Sequence, residues 1–282
     1  MEVLKSLWVG PLSLLVVLLT LALLIRLLEN RLTFYPTAEL EEFPESYHLA
    51  CEEVLLKPAG GGTIHGWYFR PAEENAPVMV VFHGNAGNIS HRLHWLAPLV
   101  RHGNGALLFD YRGYGRSLGK PSEKSLQEEA IAVWDYLVGT RALAARRLVL
   151  FGRSLGSAPA AYLAAQRPVG GLILEGAFRR GADMVQQVFG FLPLHWFMKN
   201  RWEVAEALSR TRVPVLIIHG TADEVVPFKL GEKLAETKGP TRLDWWPVSG
   251  GRHLDLHFLL GASYYERVDK FARDAVGGPD NR

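Results

Sequence analysis

Cysteine is nearly absent: Cys51 is the only one among 282 residues. One thiol cannot close a disulfide within the chain and cannot build a cysteine-based zinc site. Long runs of one charge are also missing. Lys and Arg number 31 against 29 Asp and Glu, a formal net charge of +2. No basic stripe is available to neutralise phosphates, so nucleic acid is not an expected partner. Internal repeats and low-complexity segments are lacking too. What remains is ordinary for a folded domain with a sizeable core: 48% apolar and 21% charged residues, enough for one large α/β domain or two small ones.

A further absence is local. From Ser6 to Ile25 there is no charged residue, and Leu, Val, Ile and Trp dominate. About 20 such residues cross a hydrocarbon core as a helix, and Pro11 sits near the start, where a helix tolerates it best. A cleaved signal peptide would need a shorter apolar core and a small-x-small site after it. Here Arg26-Leu-Leu-Glu-Asn-Arg31 follows instead. The expectation is an uncleaved single-pass membrane anchor over residues 1–31. Lys5 before the run and Arg26 and Arg31 after it are too few to choose a side.

Residues 32–50, rich in Pro, Glu and aromatics, read as a linker. A domain over 51–276 follows, with a short tail at 277–282. Cys51–Lys57 and Thr63–Arg70 read as a hairpin. Val78–Phe82, Ala106–Asp110, Leu148–Phe151, Leu172–Leu174, Val215–Ile218 and Leu243–Val248 are short strands, the continuous apolar runs among them being of the kind buried on both faces. Helical segments lie between several of them: Ser90–Val100, one opened by Ser125 with Glu128 as a capping box, Ala158–Ala165, and a closing helix over His257–Ala275. This alternation predicts an α/β fold with a mostly parallel central sheet and helices on both faces. Residues 179–212 break it. They carry Trp196, Trp202 and several Phe but no strand, as a small lid would.

Gly152-Arg153-Ser154-Leu155-Gly156 lies between a strand and a small-residue helix, the setting of a nucleophile elbow. A serine hydroxyl needs a base, and the base needs an orienting group. Asp223 leaves the carboxyl end of Val215–Ile218, where ligands of open α/β sheets gather, and His253 follows the last strand in a flexible loop. Glu175 is a rival acid and His257 a rival imidazole. His253 and His257 also stand at i,i+4, but no third ligand pattern accompanies them, and no metal is expected. The glycine-rich turn His83-Gly-Asn-Ala-Gly-Asn88 offers an oxyanion hole, with the amides of Asn85 and Leu155 as expected donors. His83 and His219 read as buried, hydrogen-bonded residues. Asp110 and Arg112 are expected to brace their turn between them. Arg153 has no role that the sequence chooses.

Taken together, His83–Asn88, Asp110–Gly115, Gly152–Gly156, His219–Asp223 and Gly251-Arg-His253, in this order, resemble the α/β-hydrolase superfamily from about Cys51 to Val276. The likeness is strongest to small membrane-anchored serine hydrolases with an amino-terminal helix. It implies Ser154 as nucleophile, Asp223 as acid and His253 as base, and esterase, lipase or thioesterase activity without a cofactor. One departure is Glu175-Gly-Ala-Phe178, where members more often carry serine after the glutamate. The expected activity is hydrolysis of acyl esters or thioesters of lipid type at a membrane. A general short-chain carboxylesterase and a non-catalytic, membrane-bound binding protein of the same fold are the alternatives. The sequence does not address oligomeric state.

Overall fold

The structure is a computed structural model that describes residues 2–190 and 194–277, without the side chains of residues 2–9, 11–12, 14–15 and 188–189. In chain order its elements are α1 (Glu2–Thr33), β1 (Tyr35–Pro36), β2 (Glu52–Leu56), β3 (Ile64–Phe69), β4 (Val78–Phe82), β5 (Ala86–Gly87), α2 (Leu93–Arg101), β6 (Gly105–Phe109), α3 (Glu123–Asp135), β7 (Leu148–Arg153), α4 (Ser157–Gln166), β8 (Gly171–Glu175), α5 (Gly181–Phe189), α6 (Val204–Arg210), β9 (Val215–Gly220), α7 (Phe228–Ala235), β10 (Leu243–Val248), α8 (Leu256–Leu260) and α9 (Ala262–Gly277). Eight strands form one sheet in the order β10-β9-β8-β7-β4-β6-β3-β2. The pairs β2–β3 and β3–β6 are antiparallel, and the pairs from β6 through β4, β7, β8 and β9 to β10 are all parallel.

The continuous apolar runs have the burial expected of strands covered on both faces. In β4, Val78, Val80 and Phe82 face a core shared with α3, α4 and α6, while Met79 and Val81 face one shared with α2 and α9. Each such side chain, removed from water, contributes roughly 1.5–3 kcal/mol. The chain passes from β4 to β6 on one side and then returns to β7 on the other. That reversal makes the carboxyl ends of β4 and β7 a topological switch point, where open α/β sheets form their clefts.

Three local expectations are corrected. The capping box belongs to Ser122, not Ser125: Ser125 N donates to Ser122 Oγ at 3.1 Å and Ser122 N to Ser125 Oγ at 2.8 Å, so α3 starts at Glu123. Two serines at the right spacing form a reciprocal pair, and the pair wins over Ser125 with Glu128. The closing helix is two helices, α8 and α9, parted by Gly261 at φ 55°. His253 precedes α8, so His253 and His257 are not stacked on one helical face.

The charge-free run Ser6–Ile25 lies within α1. Among the described residues no helix is long and apolar enough to cross a membrane. Of the lid segment, Trp202 is buried and Trp196 is 71% exposed; Phe191, Leu192 and Pro193, and the side chain of Phe189, lie outside the described residues. So do residues 278–282 of the tail.

Loss of the Ser122 cap should be measurable. Ser122→Ala is expected to lower unfolding stability by about 1 kcal/mol with an unchanged denaturant slope. Urea unfolding checks it, and an unchanged midpoint would return the helix start to Ser125.

Candidate active site

Strand β7 ends at Arg153 and α4 begins at Ser157, so Ser154 must turn the chain within one short 3-10 turn. Its φ is 52°, in the left-handed region, a conformation costing on the order of 1–3 kcal/mol for a residue with a Cβ. The geometry persists because neighbouring backbones are in contact. A Cβ at Gly156 would collide with the Phe82 carbonyl at the end of β4, so only glycine lets α4 start this close to the next strand.

Three residues named from the sequence meet here although they lie far apart in the chain. His253 Nε2 is 3.0 Å from Ser154 Oγ, and His253 Nδ1 is 2.8 Å from Asp223 Oδ2. In the neutral imidazole, Nδ1–H donates to the carboxylate and Nε2 accepts from the serine hydroxyl. The amides of Val225 and Val226 donate to the other oxygen, Asp223 Oδ1, at 2.9 and 2.8 Å. Burial opposes ionisation of Asp223, but these bonds outweigh it and hold the carboxyl below its ordinary range. The group therefore stays charged through neutral pH. His219 lies beneath, fully buried, donating from Nε2 to Val226 O at 2.8 Å; desolvation lowers its pKa.

The two loops bearing Asp223 and His253 are joined to each other. Ala222 N donates to Gly251 O at 2.9 Å, and Arg252 pairs with Glu224 at 2.8 Å. Glu224 also accepts from His253 N at 3.3 Å. Gly176, at φ 58°, lies against the imidazole: a Cβ there would stand 3.0 Å from His253 Cε1.

The loop after β4 runs beside the serine, since a Cβ at Gly84 would meet Ser154 Cβ at 3.7 Å. His83 is fully buried and its Nδ1–H donates to Gly84 O at 2.7 Å. Among the described residues no peptide is cis, so fixing the Gly84 carbonyl directs the Asn85 amide the opposite way. The Leu155 amide belongs to the first turn after the serine, where amides have no partner within the helix.

The rival acid is engaged elsewhere. Glu175 stands opposite Arg153 in the β7–β8 register, and its Oε1 accepts from Arg153 Nη2 at 2.6 Å and Nε at 3.1 Å. Its other oxygen accepts from Tyr264 Oη, which accepts from Trp95 Nε1 at 3.0 Å. The Arg153 guanidinium lies 4.5 Å from the Trp95 ring and donates to Leu254 O, next to His253, at 3.1 Å. All four side chains are buried. The sequence left Arg153 without a role; its place at a strand end beside an acid-terminated strand was the available signal. His257, the rival imidazole, likewise lies outside the contacts of Ser154 and Asp223, which His253 makes. It is buried against Phe258 and Tyr264, and desolvation pushes it down to about 3. Asp110 and Arg112 do not brace each other: Asp110 Oδ1 accepts from Ile89 N at 3.0 Å and faces His83 Nε2 at 3.4 Å, while Arg112 pairs with Glu128 and Glu129.

Breaking the buried pair leaves an uncompensated charge. Arg153→Met is expected to cost about 3–5 kcal/mol of stability, and adding Glu175→Gln to restore a large part of it. A single-variant loss below about 1 kcal/mol in urea unfolding contradicts this account of the site floor.

A family model described as serine aminopeptidase, S33, matches residues 73–206. The alpha/beta hydrolase domain-containing protein WAV2 of Arabidopsis thaliana is 30% identical over 243 residues, 79% of each chain. Protein bem46 of Schizosaccharomyces pombe is 31% identical over 236 residues, 77% of each. Among solved structures, an esterase of Pyrococcus furiosus superposes with a TM-score of 0.71 at 16% identity, over 86% of this chain and 99% of that one. At that identity the superposition speaks for the fold, an α/β-hydrolase fold with a mostly parallel sheet. Similarity along most of its length to a protein defined by this domain gives the conclusion that the chain belongs to the alpha/beta hydrolase family.

Proposed function

We propose that the protein is a serine hydrolase that cleaves carboxylic esters or thioesters through an acyl-enzyme. The observation that carries the reading is the chain of contacts Asp223–His253–Ser154, with the serine on a strained elbow. In this mechanism His253 Nε2 takes the proton from Ser154 Oγ as the oxygen attacks the acyl carbonyl. Asp223 holds the tautomer and stabilises the imidazolium. The amides of Leu155 and Asn85 donate to the developing oxyanion, each contributing about 2.7–4 kcal/mol to the transition state. His253 then protonates the leaving alcohol or thiol, and water releases the acyl group by the same steps in reverse. Membership of the family supports the reading, as does the burial of Glu175 in a different pair.

The substrate class is proposed to be acyl lipids, or lipid-modified molecules, met at a membrane to which α1 attaches the enzyme. Support comes from the charge-free run Ser6–Ile25 and from the exposure of Val16, Val17, Leu19 and Leu23. Apolar side chains also stand out near the lid and the His253 loop, with Trp196 71% and Phe258 72% exposed.

Ser154→Ala is expected to lower kcat by ~10⁴-fold or more and to abolish labelling by a fluorophosphonate probe. Equal labelling of both proteins refutes the nucleophile. Asp223→Asn should retain labelling at a much reduced rate, with kcat down by about 10⁴-fold. For the substrate class, the test is turnover of monoacylglycerol and lysophospholipid in vesicles against soluble short-chain esters. Preference for every soluble ester over every lipid would leave a general carboxylesterase.

A further inference from the structure

The stretch that leads out of α1 is bonded into the catalytic centre. Near the end of the helix, Glu29 is buried, and its carboxylate accepts from the amides of Lys199 and Asn200 at 2.6 and 2.8 Å. Asn30 accepts from Asn200 Nδ2 at 3.0 Å and donates to Pro121 O at 3.2 Å. The helix base is thus fastened to the loop that closes the lid segment. Phe34 then enters the core between Tyr114 and Trp202, at ring separations of 6.5 and 6.0 Å.

The next residues reach the oxyanion loop. β1 pairs in parallel with β5, Tyr35 opposite Ala86 and Pro36 opposite Gly87. Asn85 O accepts from Tyr35 N at 2.9 Å and from Tyr114 Oη at 2.6 Å, while Asn85 Nδ2 donates to Thr33 O at 3.2 Å. Asn88 Nδ2 spans back to Thr37 O, Thr37 Oγ1 and Glu39 O at 3.2, 3.1 and 2.5 Å. Asn88 Oδ1 meanwhile accepts from Ser90 N and Oγ. Asn85 is held on one side by His83, through the Gly84 carbonyl, and on the other by residues 33–35.

We infer that residues 29–39 are a positioning element for the oxyanion loop and the lid base, so that the apolar helix is a rigid continuation of the catalytic centre and not a tether. The inference rests on the serine-hydrolase reading above. Its physical content is that the Asn85 amide must stay within a few tenths of an ångström of its place, because a shift near 1 Å in a reacting group can cost about 10²-fold in rate. A ladder of backbone bonds from a helix-anchored segment supplies that restraint. Anything that displaces the helix base therefore acts on kcat, although none of these residues touches the substrate.

The test uses the full chain in detergent with a soluble p-nitrophenyl ester, so that lipid access does not enter. Asn88→Asp keeps the Ser90 cap but turns the three donor contacts into repulsion. Tyr35→Pro removes the amide that reaches Asn85 O. Thr37→Val removes one acceptor of three and is the variant least able to disturb folding. Activity is expressed as kcat per serine titratable with a fluorophosphonate, alongside KM and Tm. The expected result is a graded loss, about tenfold or more for Asn88→Asp and Tyr35→Pro and smaller for Thr37→Val, with KM little changed. Val133→Ala, a destabilised control in the core beneath α3, should keep full kcat per titratable serine. A merely structural role would lower Tm and the titratable fraction alone; kcat per serine within twofold of wild type in all three variants overturns the inference. A wild-type chain that is neither labelled nor active removes the hydrolase reading itself, and this inference with it.

Discussion

The close approach of two backbones at the nucleophile elbow is the constraint on which the remainder depends. β4 and β7 lie side by side, and Gly156 lets the start of α4 rest on the Phe82 carbonyl. A side chain there would push α4 off the sheet and separate Ser154 from the His83–Asn88 loop. The arrangement carries the strain of a left-handed serine. That strain is offset by packing: Ala160, Ala161 and Leu163 of α4 are fully buried against the sheet. Small residues in α4 are therefore a requirement of distance and not only of helix propensity.

Two buried polar pairs lie beneath the site, where burial makes an unpaired charge costly. Arg153 with Glu175 and His83 with Asp110 each occupy the carboxyl end of a strand, directly under a residue proposed to act. Loops at sheet ends are ordinarily among the least stable parts of a fold. Here they rest on buried side chains, the Arg153–Glu175 pair among them, and the Asp223 and His253 loops brace one another through Arg252 and Glu224. The floor thus turns flexible connections into fixed ones, which is what preorganised hydrogen-bond donors need in order to act without reorganising.

The amino-terminal segment extends that fixation outward. Residues 32–50 look like a linker by composition, yet Phe34 is in the core and the residues around it bond to the lid base and to Asn85. The direction of α1 relative to the cleft is consequently set by the fold.

Much of this was legible in the sequence, because it is written in short-range patterns. Continuous apolar runs marked the strands, small residues after Gly152–Gly156 marked the elbow helix, and the order of Ser154, Asp223 and His253 identified three side chains that the structure brings into hydrogen-bond contact. What the tertiary structure alone decided concerns residues distant in the chain. Asp223 rather than Glu175 meets His253 because strand register sets Glu175 opposite Arg153, 22 positions away in sequence. Arg153 reaches Leu254 across 101 positions, and Asn85 reaches Thr33 across 52. Periodicity and capping rules describe neighbours within a turn or a strand. Contacts of this span follow from strand order and loop path, which bring together groups whose types, taken singly, fit several roles.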